Sequence, residues 1–136
     1  MARNIGASFV GVIVAMALVW VIEALSHTIY PPPTDLDFNN AEVAAAYIDA
    51  LPLGALLIVV AAWFIGSAGG TYAACRIGES QPLIFAISVG GAMFVATSMN
   101  LLMIPHPVWM SVLGLAGVFA GAWLGMVLGR KHEDAT

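Results

Sequence analysis

Residues 5–22 read IGASFVGVIVAMALVWVI and contain no charged side chain. A helix needs about 20 such residues to cross the hydrocarbon core of a bilayer. The run is also longer than the core of about 7–15 residues in a secretory signal peptide, so we expect it to remain as a membrane span. This stretch therefore predicts an integral membrane protein.

The rest of the chain repeats the pattern. Of its 136 residues, 61% are hydrophobic and only 9% are charged, whereas a soluble globular domain carries roughly 25% charged residues. Four apolar runs are long enough to span a membrane, at residues 5–30, 51–75, 83–102 and 107–129. The sequence predicts an all-α, four-helix membrane bundle that forms a single transmembrane domain over residues 1–136.

The basic residues indicate how the bundle is oriented. Lysine and arginine occur at four positions, namely Arg3, Arg76, Arg130 and Lys131. These positions precede the first span, separate the second from the third, and follow the fourth. An even number of spans puts those segments on one side, and the positive-inside rule makes that side cytoplasmic. We therefore expect both termini in the cytoplasm.

The outer loop between the first two spans predicts a short additional helix. Asn39 and Glu42 have the spacing of a capping box, with Asn39 as the N-cap. The helix should then cover residues 41–50 and lie along the periplasmic membrane surface. Its apolar face would be formed by Val43, Tyr47 and Ala50.

Small residues recur at intervals of four in two of the spans. The last span contains Gly117, Gly121, Gly125 and Gly129, and the second contains Ala62, Gly66, Gly70 and Ala74. Residues four apart lie on one face of a helix, and small residues there let two helices approach closely in a membrane. We expect these rows to pack against each other as a glycine zipper within one bundle. A seam between copies of the chain is the alternative.

A set of polar residues is predicted near the outer side of the bundle. Glu23 is the only carboxylate inside a span, and an ionisable residue there is by default a candidate functional residue. His27 and Tyr30 continue the same helical face. His106 lies in the third loop, which the topology also places outside, and Asn100 lies near the end of the third span.

Three interpretations of this polar set remain open. In the first, Glu23 is neutral or bonded to His27, and the group fixes the first span to the loop. In the second, Glu23, His27 and His106 bind a divalent metal such as Zn²⁺, which takes carboxylate and imidazole ligands. In the third, Glu23 and His27 belong to a path for protons or a small solute.

Two motifs carry a resemblance to known proteins. The stretches EALSHTIYPPP (residues 23–33) and IPHPVW (residues 104–109) resemble those of small four-span bacterial membrane proteins of uncharacterised function. The resemblance implies a bacterial inner membrane and the fold described above. It implies no activity and no catalytic residue.

The remaining features favour a non-enzymatic role. The sequence contains no phosphate-binding loop, nucleophile elbow or zinc-protease motif, and no basic tract that would favour nucleic acid. We expect an accessory or structural component of the membrane, in contact with lipid and with itself or a larger membrane complex. The alternative is a protein that handles a metal, protons or a small solute through Glu23, His27 and His106.

Overall fold

A computed structural model describes residues 1–79 and 81–131. These residues form five helices and no strand: α1 (Ala2–Ile29), α2 (Ala41–Ala50), α3 (Leu53–Ile77), α4 (Pro82–Met103) and α5 (Val108–Gly129). All except α2 are long and apolar enough to cross a membrane. The all-α, four-span prediction is confirmed, and every predicted span ends within three residues of the observed helix.

Prolines mark the start of three helices. Pro82 is the first residue of α4, where its missing N–H would have had no partner within the helix. Pro52 and Pro107 are the N-caps of α3 and α5. Each proline follows a short connection and marks the residue at or next to which the following helix begins.

The cap of α2 differs from the prediction by one residue. The side chain of Asn40 accepts hydrogen bonds from the backbone N–H groups of Glu42 and Val43, at 3.0 and 3.3 Å. The predicted cap, Asn39, instead donates its backbone N–H to the Asp37 carboxylate at 2.9 Å. Asn39 belongs to the turn formed with Asp37, so Asn40 caps the helix.

α2 packs against the bundle through one face. Ala44 and Ile48 are its buried residues, and Ile48 joins the main hydrophobic core. Tyr47 is half-buried, and Val43 and Ala50 are exposed. Contact of Val43, Tyr47 and Ala50 with the membrane surface stays a prediction.

α3 lies at the centre of the bundle. Its interfaces with α1 and α5 are the most extensive, and α4 packs more lightly against α5, α3 and α1. α1 and α3 are in backbone contact, since a Cβ added at Gly11 would lie 2.7 Å from the carbonyl oxygen of Gly70. α5 approaches α3 equally closely, because a Cβ at Gly129 would lie 2.7 Å from the Cβ of Cys75.

The two rows of small residues therefore have different partners. The α5 row faces α3, and Cβ atoms at Gly121 and Gly125 would run into the backbone at Phe64 and Ala68. The α3 row does not face α5, contrary to expectation. Gly66 and Gly70 instead face α1. Because α3 packs between two helices, it uses one face for each of them.

Two hydrogen bonds from serine side chains join helices within the bundle. The buried Ser67 hydroxyl donates to the Val118 carbonyl at 2.8 Å and so links α3 to α5. Ser8 and Ser88 share a hydrogen bond of 2.9 Å between α1 and α4. Since the hydrocarbon core provides no water as a partner, such bonds satisfy groups that would otherwise be costly to bury.

The basic residues gather at one end, here called the cationic end (Arg3, Arg76, Arg130 and Lys131). The Arg3 side chain donates to the Ile77 carbonyl at 3.0 Å and forms an ion pair with Glu79. Lys131 donates to the Gly78 carbonyl at 2.9 Å. The two ends of the described chain and the α3–α4 connection thus meet at the cationic end, and the other connections lie at the opposite end.

Candidate functional site

Glu23 and His27 lie on one face of α1 near the opposite end of the bundle. Glu23 is half-buried and His27, one helical turn further on, is exposed. The two do not form a close ion pair, because the single ion pair among the described residues joins Arg3 and Glu79.

Tyr30 connects the end of α1 to the start of α3. It is the C-cap of α1, and its backbone N–H donates to the Ser26 carbonyl at 2.8 Å. Its phenolic oxygen lies against Gly54, where an added Cβ would be only 2.8 Å away. The sequence predicts Tyr30 in a polar cluster with Glu23, whereas the structure shows its hydroxyl group packed on the backbone of α3.

His106 closes the opposite end of the core. Its Nδ1 lies 2.6 Å from the Ile104 carbonyl oxygen, and since a carbonyl can only accept, Nδ1 carries the hydrogen and donates. The ring stands edge-on to Trp63, with centroids 6.3 Å apart and an interplanar angle of 66°. Trp63 is itself buried and packs where Gly114 of α5 leaves room.

The surroundings of His106 favour its neutral form. Burial lowers the pKa of His106 from its ordinary value of 6.5, and the hydrogen bond to Ile104 acts more weakly in the opposite direction. With Nδ1 protonated, Nε2 holds the remaining lone pair and has no hydrogen-bond partner among the described residues. His106 therefore offers one acceptor nitrogen.

The predicted polar set does not assemble into a metal site. Within residues 1–79 and 81–131, no group of three His, Cys, Asp or Glu side chains is placed to hold a metal ion. Glu23 and His27 remain together on α1, but His106 is held by Ile104 and Trp63. A divalent metal bound by all three residues is therefore not supported.

Asn100 contributes through its backbone. Its carbonyl accepts a hydrogen bond from the Ile104 N–H at 3.0 Å, which closes the last turn of α4, and its side chain is exposed. Asn100 thus shapes the turn that carries His106.

Three residues that hold this end together were missed from the sequence. They are Trp63, Gly114 and Gly54, which receive His106, Trp63 and Tyr30 respectively. A signal for Gly114 does exist, because it lies three residues before Gly117 and extends the glycine row of α5 by one turn. The contacts of Trp63 and Gly54 depend on the tertiary packing and have no local signal.

No protein-family model matches the chain, and neither a curated protein nor a solved structure matches it. The structure shows an all-α protein with four helices long and apolar enough to span a membrane, and its role has to be inferred from its own packing and chemistry.

Proposed function

We propose that the chain is a small non-enzymatic accessory or structural protein of a bacterial inner membrane. The supporting observation is the close approach of the helix backbones inside the bundle. Backbone meets backbone at Gly11 and Gly70 and again at Gly121 and Phe64, and the buried Ser67 hydroxyl is used to join two helices. These residues hold helices together, which is what a glycine zipper does in a membrane.

The perimeter supports the same proposal. Large apolar side chains cover the outer surfaces of α1 and α4; for example, Trp20 is 71% exposed and Ile87 is 66% exposed. Gly91 lies among them on α4, and a Cβ added there would meet nothing within 4 Å. A small residue on an open helix surface allows another transmembrane helix to approach closely.

The proposed orientation rests on the cationic end. Under the positive-inside rule, this end lies in the cytoplasm and the α2 segment lies in the periplasm. The acidic residues Asp35, Asp37, Glu42 and Asp49 would then all be periplasmic.

The test is native extraction in a mild detergent, followed by native gel electrophoresis and mass spectrometry of the isolated band. We expect the 14.2 kDa chain to migrate within a defined larger complex. Gly91→Leu should release it from the complex, whereas Gly6→Leu, at a second glycine with nothing within 4 Å, is the matched control on α1. A wild-type chain that always migrates alone would contradict the accessory role.

A second candidate function is the handling of protons or a small solute. It is favoured by the half-buried Glu23 within a span, with His27 one turn away. In proteoliposomes with an internal pH-sensitive dye, this function requires a proton flux that Glu23→Gln abolishes and Asp49→Asn leaves intact. Equal fluxes in both variants, or none in the wild type, would exclude it.

A further inference from the structure

α1, α3 and α5 leave an apolar groove between them on the membrane-facing surface. Its volume is about 440 Å³. Small residues form its floor and larger side chains its sides: Ala68, Gly69 and Gly125 below, with Leu18, Phe64 and Tyr72 around them. The groove opens towards lipid, since the bordering Ile65 and Leu128 are 43% and 62% exposed.

The size of the groove indicates what can fill it. A helix with its side chains is about 10–12 Å wide and rises about 5.4 Å per turn, so the groove could accept roughly one turn of a second chain. An acyl chain is thinner and can follow the groove along its length. Filling it restores the dispersion contacts that an empty groove would lack.

One end of the groove carries unused polar groups. Ile65, Gly69, Tyr72 and Arg76 recur at helical spacing and form one stripe of α3 that leads to the cationic end. Arg76 lies about 6 Å beyond Tyr72 along the helix. Both side chains are exposed, and neither has a hydrogen bond or ion pair in the described part of the chain.

Two of the other three cations at this end are already bonded, and the third, Arg130, lines a different cavity. Arg3 is paired with Glu79, and Lys131 is bonded to the Gly78 carbonyl. Glu79 is the only carboxylate at the cationic end among the described residues. The charge next to the groove is therefore the positive charge of Arg76.

We propose that this groove binds an anionic phospholipid. One acyl chain lies in the groove beside Leu18 and Tyr72, and the phosphate is held by the Arg76 guanidinium and the Tyr72 hydroxyl. A guanidinium can donate two parallel hydrogen bonds to a phosphate. Basic residues between transmembrane helices at the membrane surface are suited to anionic headgroups. The acyl chain of a lipid fills the groove while its phosphate pairs with Arg76. A second copy of the chain would instead bring another positive charge close to Arg76.

The headgroup is tested by native mass spectrometry of the purified chain. Phosphatidylglycerol and phosphatidylcholine with identical acyl chains are added separately. We expect the wild type to prefer phosphatidylglycerol and Arg76→Gln to weaken that binding about five-fold, as expected for one basic side chain at a membrane surface. Arg130→Gln, which removes an exposed cation that lines a different cavity and lies outside the α3 stripe, should leave binding unchanged.

The groove itself is tested with Gly69→Leu. The added side chain would occupy the floor, and its Cβ would meet only the side chain of Leu18, which can move aside. Bound phosphatidylglycerol should be lost, whereas Gly6→Leu, the same change at an open position of α1 with nothing within 4 Å, should retain it. Should Gly69→Leu fail to fold, the comparison of the two arginine variants decides the proposal.

Three results would overturn the proposal. The first is equal binding of the two lipids by the wild type, and the second is an equal effect of Arg76→Gln and Arg130→Gln. The third is a wild-type dimer that forms without added lipid and disappears in Gly69→Leu, because the groove would then be occupied by a second copy.

Discussion

The contact between α5 and α3 allows a prediction in which three identical substitutions have different effects. A methyl group added at Gly121 would lie 3.2 Å from the backbone nitrogen of Ala68 and closer still to the carbonyl oxygen of Phe64. At Gly117, one turn earlier, its nearest neighbour would be the Phe64 Cβ at 3.7 Å, an ordinary contact. At Gly91 it would meet nothing within 4 Å.

The expected magnitudes follow from two opposing effects. Glycine to alanine in a helix interior stabilises the helix by about 1 kcal/mol, and all three substitutions share this gain. At Gly121 the methyl group meets backbone atoms, which cannot rotate away, and such overpacking costs about 1–3 kcal/mol. Gly91→Ala and Gly117→Ala should therefore raise the free energy of unfolding, and Gly121→Ala should fall about 1–3 kcal/mol below Gly117→Ala.

Reversible unfolding measures the difference directly. Each variant in a mild detergent is titrated with sodium dodecyl sulfate, and the loss of helix packing is followed by tryptophan fluorescence, to which the buried Trp63 contributes. If Gly121→Ala and Gly117→Ala agreed within about 0.5 kcal/mol, the usual scatter of substitutions that disturb no contact, the close seam between α3 and α5 would be refuted.

Three further predictions concern the ends of the bundle. In a cysteine-free background, a cysteine at Asp37 should react with a membrane-impermeant thiol reagent in intact cells and one at Gln81 should not; the reverse pattern would invert the orientation inferred from the basic residues. Because burial lowers the pKa of folded His106 from 6.5, the unfolded chain binds the proton more readily, so the melting temperature should fall as the pH drops through 6.5 and below. His106→Gln should show a weaker decline, and an unchanged one would mean that other groups cause it. Gly54→Ala should lower the melting temperature because its Cβ would lie 2.8 Å from the Tyr30 hydroxyl oxygen, and adding Tyr30→Phe should recover part of the loss; strictly additive effects would rule out the contact.

The spans could be predicted because their signal is local. An uncharged run as long as residues 5–22 is typical of a membrane span and rare in a soluble protein. Prolines such as Pro82 and Pro107 mark where helices begin. The error at α2 shows where local rules stop. Asn39 and Asn40 are both good caps by residue type, and the choice between them depends on a turn at Asp37.

The partners of the helix faces could not be predicted in the same way. A spacing of four shows that Gly66 and Gly70 share a face, but it does not show which helix that face meets. The structure turns it towards α1. The surroundings of His106 could not be predicted either, because its edge-on contact with Trp63 depends on how the helices pack.

The two ends of the bundle are held by different kinds of contact. At the cationic end, Arg3 and Lys131 bond to backbone carbonyls of the α3–α4 connection. At the opposite end, the His106 ring packs edge-on against Trp63, and Tyr30 packs on Gly54.

Two pairs of polar side chains on spanning helices take no part in these contacts, Glu23 with His27 on α1 and Tyr72 with Arg76 on α3. Both pairs lie on partly or fully exposed surfaces of spanning helices, outside the glycine-lined seams. A polar group at a lipid-facing position persists only where something in or next to the membrane can satisfy it. The chemistry of this protein is therefore directed outward from the bundle, so binding partners, whether lipid or protein, should meet it at the perimeter.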